Sequence, residues 1–254
     1  MFASVALRDL IEGPERPGRY FGTSRFASWA AVGERVVVVA GPEAVRLPNC
    51  VVVHEMPDTR ALLVGCGAVV LGGQRTLVSR WWDPKPVLAA TSLTELRRAV
   101  GVLARHMEPS TDDSLGSALA GRVAVDVIDA SKRLLGRGTG LTPSGDDVLS
   151  GAFAAFLLLG AAVDDPSAAR LIASARPPLL RLSAHDSTTF SGALIGHALI
   201  GEVALPVATL LRALAGRGSI QDALDDLATV GHSSGPALAQ GVFAGATGVC
   251  GGRQ

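Results

Sequence analysis

The residues best placed to do chemistry lie in one stretch, Gly136–Asp147, directly ahead of a long apolar run. Its alternating glycines can bring backbone N–H groups close to a ligand. Thr142 and Pro143 are typical of an N-cap and of the first residue of a helix. Free amides and a partial positive charge at such a helix start suit a phosphate or a carboxylate. The stretch predicts an anion site, whose candidate binding residues are Arg137, Gly138, Gly140, Thr142, Ser144 and Gly145.

An ordinary capped turn between two core helices is the alternative interpretation of the same stretch. In that case Asp146 and Asp147 only complement the helix dipole. If an anion binds, neighbouring aspartates point about 100° apart on the helix, so Asp147 is predicted to face the pocket while Asp146 pairs elsewhere. If both face the pocket, a magnesium ion bridging carboxylate and phosphate would relieve their repulsion. Asp147 is therefore a candidate catalytic residue, and both aspartates are candidate metal ligands.

Two later turns share this composition, Ser187–Gly192 and His232–Pro236, because each places hydroxyls and glycine just before a helix. Tight helix packing and a shared anion pocket both explain three such turns. In a shared pocket, His232 is the candidate acid or base because it lies in a Gly/Ser turn. The candidate anion-binding residues that these turns add are Thr189, Ser233 and Ser234.

Composition restricts the class of protein. The chain has 254 residues, is 48% hydrophobic and carries 23 basic and 23 acidic residues, which predicts a globular protein without nucleic acid as its main partner. Its three cysteines are odd in number and widely spaced, as expected of reduced cytosolic thiols. Val148–Val163 is shorter than the roughly 20 residues that span a bilayer, which favours a buried core helix. A cytoplasmic protein without a membrane partner is expected.

Several standard motifs are missing from the sequence. The glycine spacing at 136–140 differs from that of the dinucleotide fingerprint and follows a helical pattern. Gly-Lys-Ser and Gly-Lys-Thr do not occur, so the Walker loop is absent. The five histidines lack zinc-type spacing.

Hydrophobic periodicity predicts an α+β fold in two domains. Short β-branched runs from Glu34 to Val78, with a hairpin signal at Gly72-Gly73, indicate a small antiparallel sheet or barrel. Trp81–Pro86 is typical of a linker. We predict a β-rich domain over 1–86 and a larger helical domain over 87–254 that carries the Gly-Leu-Thr-Pro-Ser-Gly-Asp-Asp motif.

Helix signals follow the linker. Ser92 and Glu95 predict a capping box ahead of the next apolar stripe. Leu115–Leu135 predicts one helix, and Thr142 starts the central helix that ends near Gly160. A short helix over Ser167–Ala175 is expected to stop at Pro177-Pro178.

The motif at 136–147 resembles the signature of the AllH-like family, whose members include a subunit of bacterial oxamate carbamoyltransferase from anaerobic allantoin breakdown. Gly231-His232-Ser233-Ser234-Gly235 is similar to a second element of that family. Arg137, Thr139 and Ser150 differ from the form expected, and the region before Glu34 matches poorly. Many members of the family have no assigned activity.

The resemblance implies carbamoyl transfer between oxalurate and phosphate, which gives oxamate and carbamoyl phosphate, in company with other subunits. The expected ligand is then phosphate, carbamoyl phosphate or an oxamate-like anion, held at Thr142–Asp147. Two other hypotheses stay open. The chain could be a non-catalytic scaffold or regulatory subunit, or a magnesium-dependent phosphotransfer enzyme.

Overall fold

The N-terminal strands form one nine-stranded sheet in the computed structural model, which describes residues 1–56, 61–107 and 114–252. Together with a 3-10 turn at Val5–Leu7 and α1 (Arg8–Glu12), the sheet belongs to a first unit, Met1–Pro84. The sheet order is β8-β7-β6-β2-β3-β4-β5-β1-β9. The strands are β1 (Phe2–Ser4), β2 (Arg16–Thr23), β3 (Ala27–Val32), β4 (Arg35–Ala40), β5 (Cys50–Val52), β6 (Leu62–Gly65), β7 (Ala68–Leu71), β8 (Gln74–Leu77) and β9 (Arg80–Trp82).

Most neighbouring strands of this sheet are antiparallel, as predicted, and two pairs, β4 with β5 and β1 with β9, are parallel. Gly72 and Gly73 form the predicted hairpin turn, with Leu71 opposite Gln74 and positive φ angles of 58° and 83°. The predicted linker at Trp81-Trp82 is wrong, because both tryptophans pair with β1 in β9. The two prolines that indicated a linker, at positions 84 and 86, lie after the end of β9.

Valines on alternate positions of the strands fill the core of this unit. Val37 and Val39 of β4 are fully buried together with Val51 of β5, and Leu7 and Ile11 pack over them. Val36, Val38 and Ala40 alternate with these valines in β4 and are buried as well, so side chains on both faces of this strand are covered.

Helices make up the second unit, Lys85–Gln254. The α+β class, with a β-rich N-terminal part followed by a larger helical part, is therefore confirmed. The helices in the described part of this unit are α2 (Leu93–Ala104), α3 (Ser114–Gly121), α4 (Ala124–Lys132), α5 (Ser144–Ala162), α6 (Pro166–Asp186), α7 (Thr189–Ala198), α8 (Leu205–Leu214), α9 (Ile220–Ala228) and α10 (Ser234–Gly251).

The central helix, α5, is buried along most of its length, which confirms the predicted core helix. By length and composition it could also cross a membrane, and 78% of its most apolar window is buried inside the fold. The capping box at the start of α2 is confirmed as well, since Ser92 Oγ accepts the Glu95 amide and the Glu95 carboxylate accepts the Ser92 amide.

Two helix predictions are wrong. The predicted helix over Leu115–Leu135 is two helices, because the chain turns at Arg122 with a φ of 59°. The helix predicted to stop at Pro177-Pro178 continues through both prolines to Asp186. An apolar stripe on α6 explains this continuation, since its burial outweighs the backbone hydrogen bonds that the prolines remove. The buried residues of that stripe are Ala168, Leu171, Ile172, Ala175 and Leu179.

Helices α5 and α10 lie parallel and very close together. A Cβ added at Gly241 would lie 2.1 Å from the Val148 carbonyl oxygen, and one added at Gly245 would lie 2.3 Å from that of Ala152. On α5, Gly151 meets the Leu238 carbonyl oxygen in the same way, at 2.4 Å. Residues later in α5 meet residues later in α10, so the two helices run in the same direction and begin at the same end of the unit.

Arg122 connects the ends of three helices in this unit. Its Nη2 atom donates to Asp165 Oδ2 over 2.7 Å and its Nε atom donates to Ser167 Oγ over 3.1 Å. Its Nη1 atom donates to two backbone carbonyls, those of Leu119 and Gly248. Asp165 also accepts the Ser167 amide at the start of α6. The hydrogen bonds and the Arg122 guanidinium together hold the pKa of Asp165 below its usual range, although burial opposes them.

Replacing Arg122 with alanine is expected to lower the free energy of unfolding by about 2 kcal/mol. This is less than the ~3–5 kcal/mol of a fully buried pair, because the Asp165 side chain is 25% exposed. Urea unfolding followed by circular dichroism measures the change. Arg170→Ala, on the exposed surface of α6, is the matched control and should change stability by less than about 0.5 kcal/mol. Equal effects of the two substitutions would contradict the role given to Arg122.

Candidate functional site

The three turns singled out in the sequence meet at the start of α5. Thr142 Oγ1 lies 2.9 Å from Ser234 Oγ at the start of α10. Thr188 Oγ1, at the start of α7, donates to the Leu141 carbonyl oxygen over 2.7 Å. The N-termini of α5, α7 and α10 therefore gather around Leu141 and Thr142.

The helix start itself differs from the prediction. Pro143 occupies the N-cap position of α5 in an extended conformation, and no side chain caps the helix there. Thr142 is not the N-cap. Its hydroxyl instead pairs with Ser234 of the neighbouring helix.

Most amides of the first turn of α5 have partners within the fold. The Gly145 amide donates to the Arg137 carbonyl oxygen over 2.9 Å, and those of Asp146 and Asp147 donate to the Pro143 carbonyl oxygen. Ser144 differs, since neither its amide nor its hydroxyl has a hydrogen-bond partner among residues 1–56, 61–107 and 114–252. The donors left open at this helix start belong to Ser144.

The glycine loop folds back onto the helix that follows it. Gly136, Gly138 and Gly140 all have positive φ angles, of 69°, 116° and 93°. A Cβ at Gly138 would lie 2.7 Å from the Ser144 amide nitrogen, and one at Gly145 would lie 1.9 Å from the Leu134 carbonyl oxygen. Two glycines of the motif thus permit a close approach of backbone to backbone.

The two aspartates of the motif have different surroundings. Asp146 is 1% exposed, and both of its carboxylate oxygens accept hydrogen bonds, Oδ1 from the Gly136 amide and Oδ2 from Ser187 Oγ. Asp147 is 4% exposed, and its buried Oδ2 atom has no hydrogen-bond partner in the part of the chain that the structure describes.

The surroundings of Asp147 raise the pKa of its carboxyl group. Burial raises its pKa to about 7, the Ser234 hydroxyl partly opposes that rise, and the charge of Asp146 adds to it. A carboxyl group with such a pKa can hold or release a proton near neutral pH.

The metal role predicted for Asp146 and Asp147 stays a prediction. Both oxygens of Asp146 already accept hydrogen bonds, from Gly136 and Ser187, whereas Oδ2 of Asp147 has no hydrogen-bond partner among the described residues. Over the described ranges, no group of three or more His, Cys, Asp or Glu side chains is placed to hold a metal ion.

A cavity of about 600 Å³ opens beside the start of α5. Four of the predicted binding residues, Arg137, Gly138, Ser144 and Gly145, form one end of it. Helices α3 and α10 supply further parts of its lining. The residues that line the rest of the cavity are Leu115, Gly116, Ser117, Leu134, Val148, Gln240, Phe243, Ala244 and Thr247.

The remaining predicted residues lie outside this cavity. Asp147, Thr142 and Ser234 are gathered at the neighbouring junction of α5 and α10. Asp146 is buried against Gly136 and Ser187. The other four are exposed: Gly140, Thr189, His232 and Ser233. His232 makes no hydrogen bond or ion pair with any described residue, and it does not line the cavity to which Arg137 belongs.

The wall formed by α10 was missed from the sequence. Gln240, Phe243, Ala244 and Thr247 follow the spacing i, i+3, i+4, i+7 and therefore share one face of the helix. A glutamine and a threonine on an otherwise apolar face were the available signal.

Comparison with known proteins bears on the segment that carries this site. Residues 134–246 match the family model described as oxamate carbamoyltransferase subunit AllH. The match begins at Leu134 and includes Gln240, Phe243 and Ala244 of the cavity. No curated protein and no solved structure matches the chain. Residues 134–246 are therefore similar to the AllH family, as the motif at 136–147 indicated.

Proposed function

We propose that this chain is a carbamoyltransferase-associated subunit, and that its cavity binds a small anionic substrate between Arg137 and Ser144. The family match supports the association with carbamoyl transfer, since the matched family is described as a subunit of that kind of enzyme. The observation that carries the proposal is the position of the cavity, which opens at the glycine loop inside the matched segment.

Charge and hydrogen-bond donors support an anionic ligand. Of the described residues that line the cavity, Arg137 alone has an ionisable side chain. A guanidinium can bind a carboxylate or phosphate through two parallel N–H donors. Ser144 adds a hydroxyl and an amide without partners among the described residues, which can donate to the same anion.

The proposed chemistry is transfer of a carbamoyl group between a ureido acid and phosphate. In that reaction the bond from the carbamoyl carbon to nitrogen breaks, a phosphate oxygen bonds to that carbon, and the released nitrogen takes a proton. Arg137 and Ser144 hold the anionic group. Asp147 and His232 stay predicted catalytic residues, and neither lines the cavity.

Titration calorimetry with phosphate, carbamoyl phosphate and oxamate tests the proposal. Arg137→Leu is expected to weaken binding at least about tenfold, because a hydrogen bond to a charged group contributes about 1.5–3 kcal/mol. Arg133→Leu is the matched control, since Arg133 is exposed at the end of α4 and does not line the cavity. If none of the three anions binds the wild type, or if both variants bind equally well, the proposed anion site is rejected.

A non-catalytic scaffold subunit is the second candidate, and the packing of the glycines favours it. Gly145 and Gly151 lie against the backbone of Leu134 and Leu238, so glycine at these two positions serves helix packing without any ligand. Carbamoyl transfer by the isolated chain would eliminate this candidate. Activity that requires other subunits, with anion binding that does not depend on Arg137, would favour it.

A further inference from the structure

The cavity beside α5 is larger than the anions of the proposed reaction require. Its volume of about 600 Å³ falls within the ~300–1,000 Å³ typical of pockets that bury drug-sized ligands. Oxamate and phosphate each have only a few non-hydrogen atoms, so either one bound at Arg137 would fill a small part of this volume.

The cavity is also long. On α10 its wall extends from Gln240 to Thr247, about 10 Å at a rise of ~1.5 Å per residue. Val148, on the parallel helix α5, lies beside Gly241. Because both helices begin at the same end of the unit, Arg137 and Ser144 are placed at the Gln240 end.

Apolar side chains form the middle of the cavity. Leu115 of α3, Val148 of α5, and Phe243 and Ala244 of α10 surround this part. Among residues 1–56, 61–107 and 114–252, no acidic residue lines the cavity. Such a surface favours a hydrocarbon or aromatic group and offers no partner to a second charge there.

We propose that the cavity takes an organic acid with one carboxylate and an extended apolar body. The carboxylate lies against Arg137 and Ser144, and the body lies along Phe243 and Ala244 toward Thr247. This inference rests on the proposed anion site at Arg137, and it adds an apolar subsite that selects among acids.

Isothermal titration of the full chain with acetate, butyrate and hexanoate tests the subsite. Each buried methylene should strengthen binding about fourfold. Because the cavity is partly open, we expect hexanoate to bind at least about tenfold more tightly than acetate. Ala244→Leu, which fills the middle of the cavity, should reduce the ratio of hexanoate to acetate affinity to about one.

Two further variants keep the test decisive if Ala244→Leu does not fold. Phe243→Ala removes the largest apolar side chain of the subsite and should reduce the same ratio at least about threefold. Val125→Ala is the matched control, because Val125 is exposed on α4 and does not line the cavity, and its ratio should equal that of the wild type.

The failure of this inference differs from the failure of the proposed function. Equal affinities for acetate and hexanoate, with oxamate binding that depends on Arg137, would overturn the apolar subsite and leave the anion site in place. Hexanoate binding that depends on Arg137, without binding of phosphate, carbamoyl phosphate or oxamate, would support the subsite and overturn the proposed function. Hexanoate binding that ignores Arg137→Leu would overturn the apolar subsite, and oxamate binding that also ignores this substitution would overturn the proposed function.

Discussion

Gly241→Ala is expected to lower the free energy of unfolding of the helical unit by at least about 3 kcal/mol, at the upper end of the usual cost of overpacking. The new Cβ would lie 2.1 Å from the Val148 carbonyl oxygen and 3.0 Å from the Ala152 amide nitrogen. Both are backbone atoms of α5, so no side chain can rotate to make room. The helices must move apart, which loosens the contacts of Gly151 and Gly245 as well. Urea unfolding of the full chain, followed by circular dichroism, measures the loss.

Gly101→Ala is the matched control for this substitution. Gly101 also lies inside a helix, α2, and an added Cβ there would meet no atom within 4 Å. Because alanine is the better helix former, this variant should gain about 0.5–1 kcal/mol. Replacing glycine with alanine is thus expected to lower the free energy of unfolding at position 241 and to raise it at position 101. A stabilised Gly241→Ala protein would show that α5 and α10 are not in close contact.

Features set by neighbours in the chain could be predicted from the sequence. The capping box at Ser92 and Glu95 involves residues three apart, and the hairpin at Gly72 and Gly73 needs only two positive φ angles. The change from β-branched runs to helical stripes predicted the α+β class, for the same local reason. Even the buried state of α5 followed from its own composition.

Features set by contacts across the fold could not be predicted in this way. Pro177 and Pro178 stop helices by local rules, yet the buried face of α6 keeps the helix intact through them. Arg122 has no local reason to take a positive φ angle. It does so where its guanidinium reaches Asp165 and a carbonyl of α10.

At the candidate site, too, local features could be predicted from the sequence and long-range contacts could not. Arg137, Gly138, Ser144 and Gly145 could be proposed from one stretch of sequence, and they lie together at the cavity. The helix start was predicted to be open, but the fold satisfies most of its amides and leaves only Ser144 without partners among the described residues. The apolar wall could not be foreseen, because α3 and α10 are distant in sequence and meet here only through tertiary packing.

Asp147→Asn is expected to make the protein more stable at pH 8 and to remove much of the loss of stability between pH 4 and pH 7. The folded protein holds the pKa of Asp147 at about 7, against 3.8 for an ordinary aspartate. As pH rises above 4, the unfolded chain releases this proton freely, whereas the folded chain must ionise a buried carboxyl group. Stability that is present below pH 4 is therefore lost through this window and stays low above pH 7. The difference between 7 and 3.8 corresponds to about 4 kcal/mol at ~1.36 kcal/mol per pH unit.

Urea unfolding of both proteins at pH 4, 6 and 8 measures this linkage, since titrating groups that the two proteins share cancel in the difference between them. Asp126→Asn, on the exposed face of α4, is the matched control and should follow the wild type across the range. Ser234→Ala supplies an independent check, because the Ser234 hydroxyl opposes the rise in the pKa of Asp147. Without it, the loss of stability should extend to higher pH. If the stability difference between wild type and Asp147→Asn does not change with pH, Asp147 is ionised throughout and cannot exchange a proton near neutral pH.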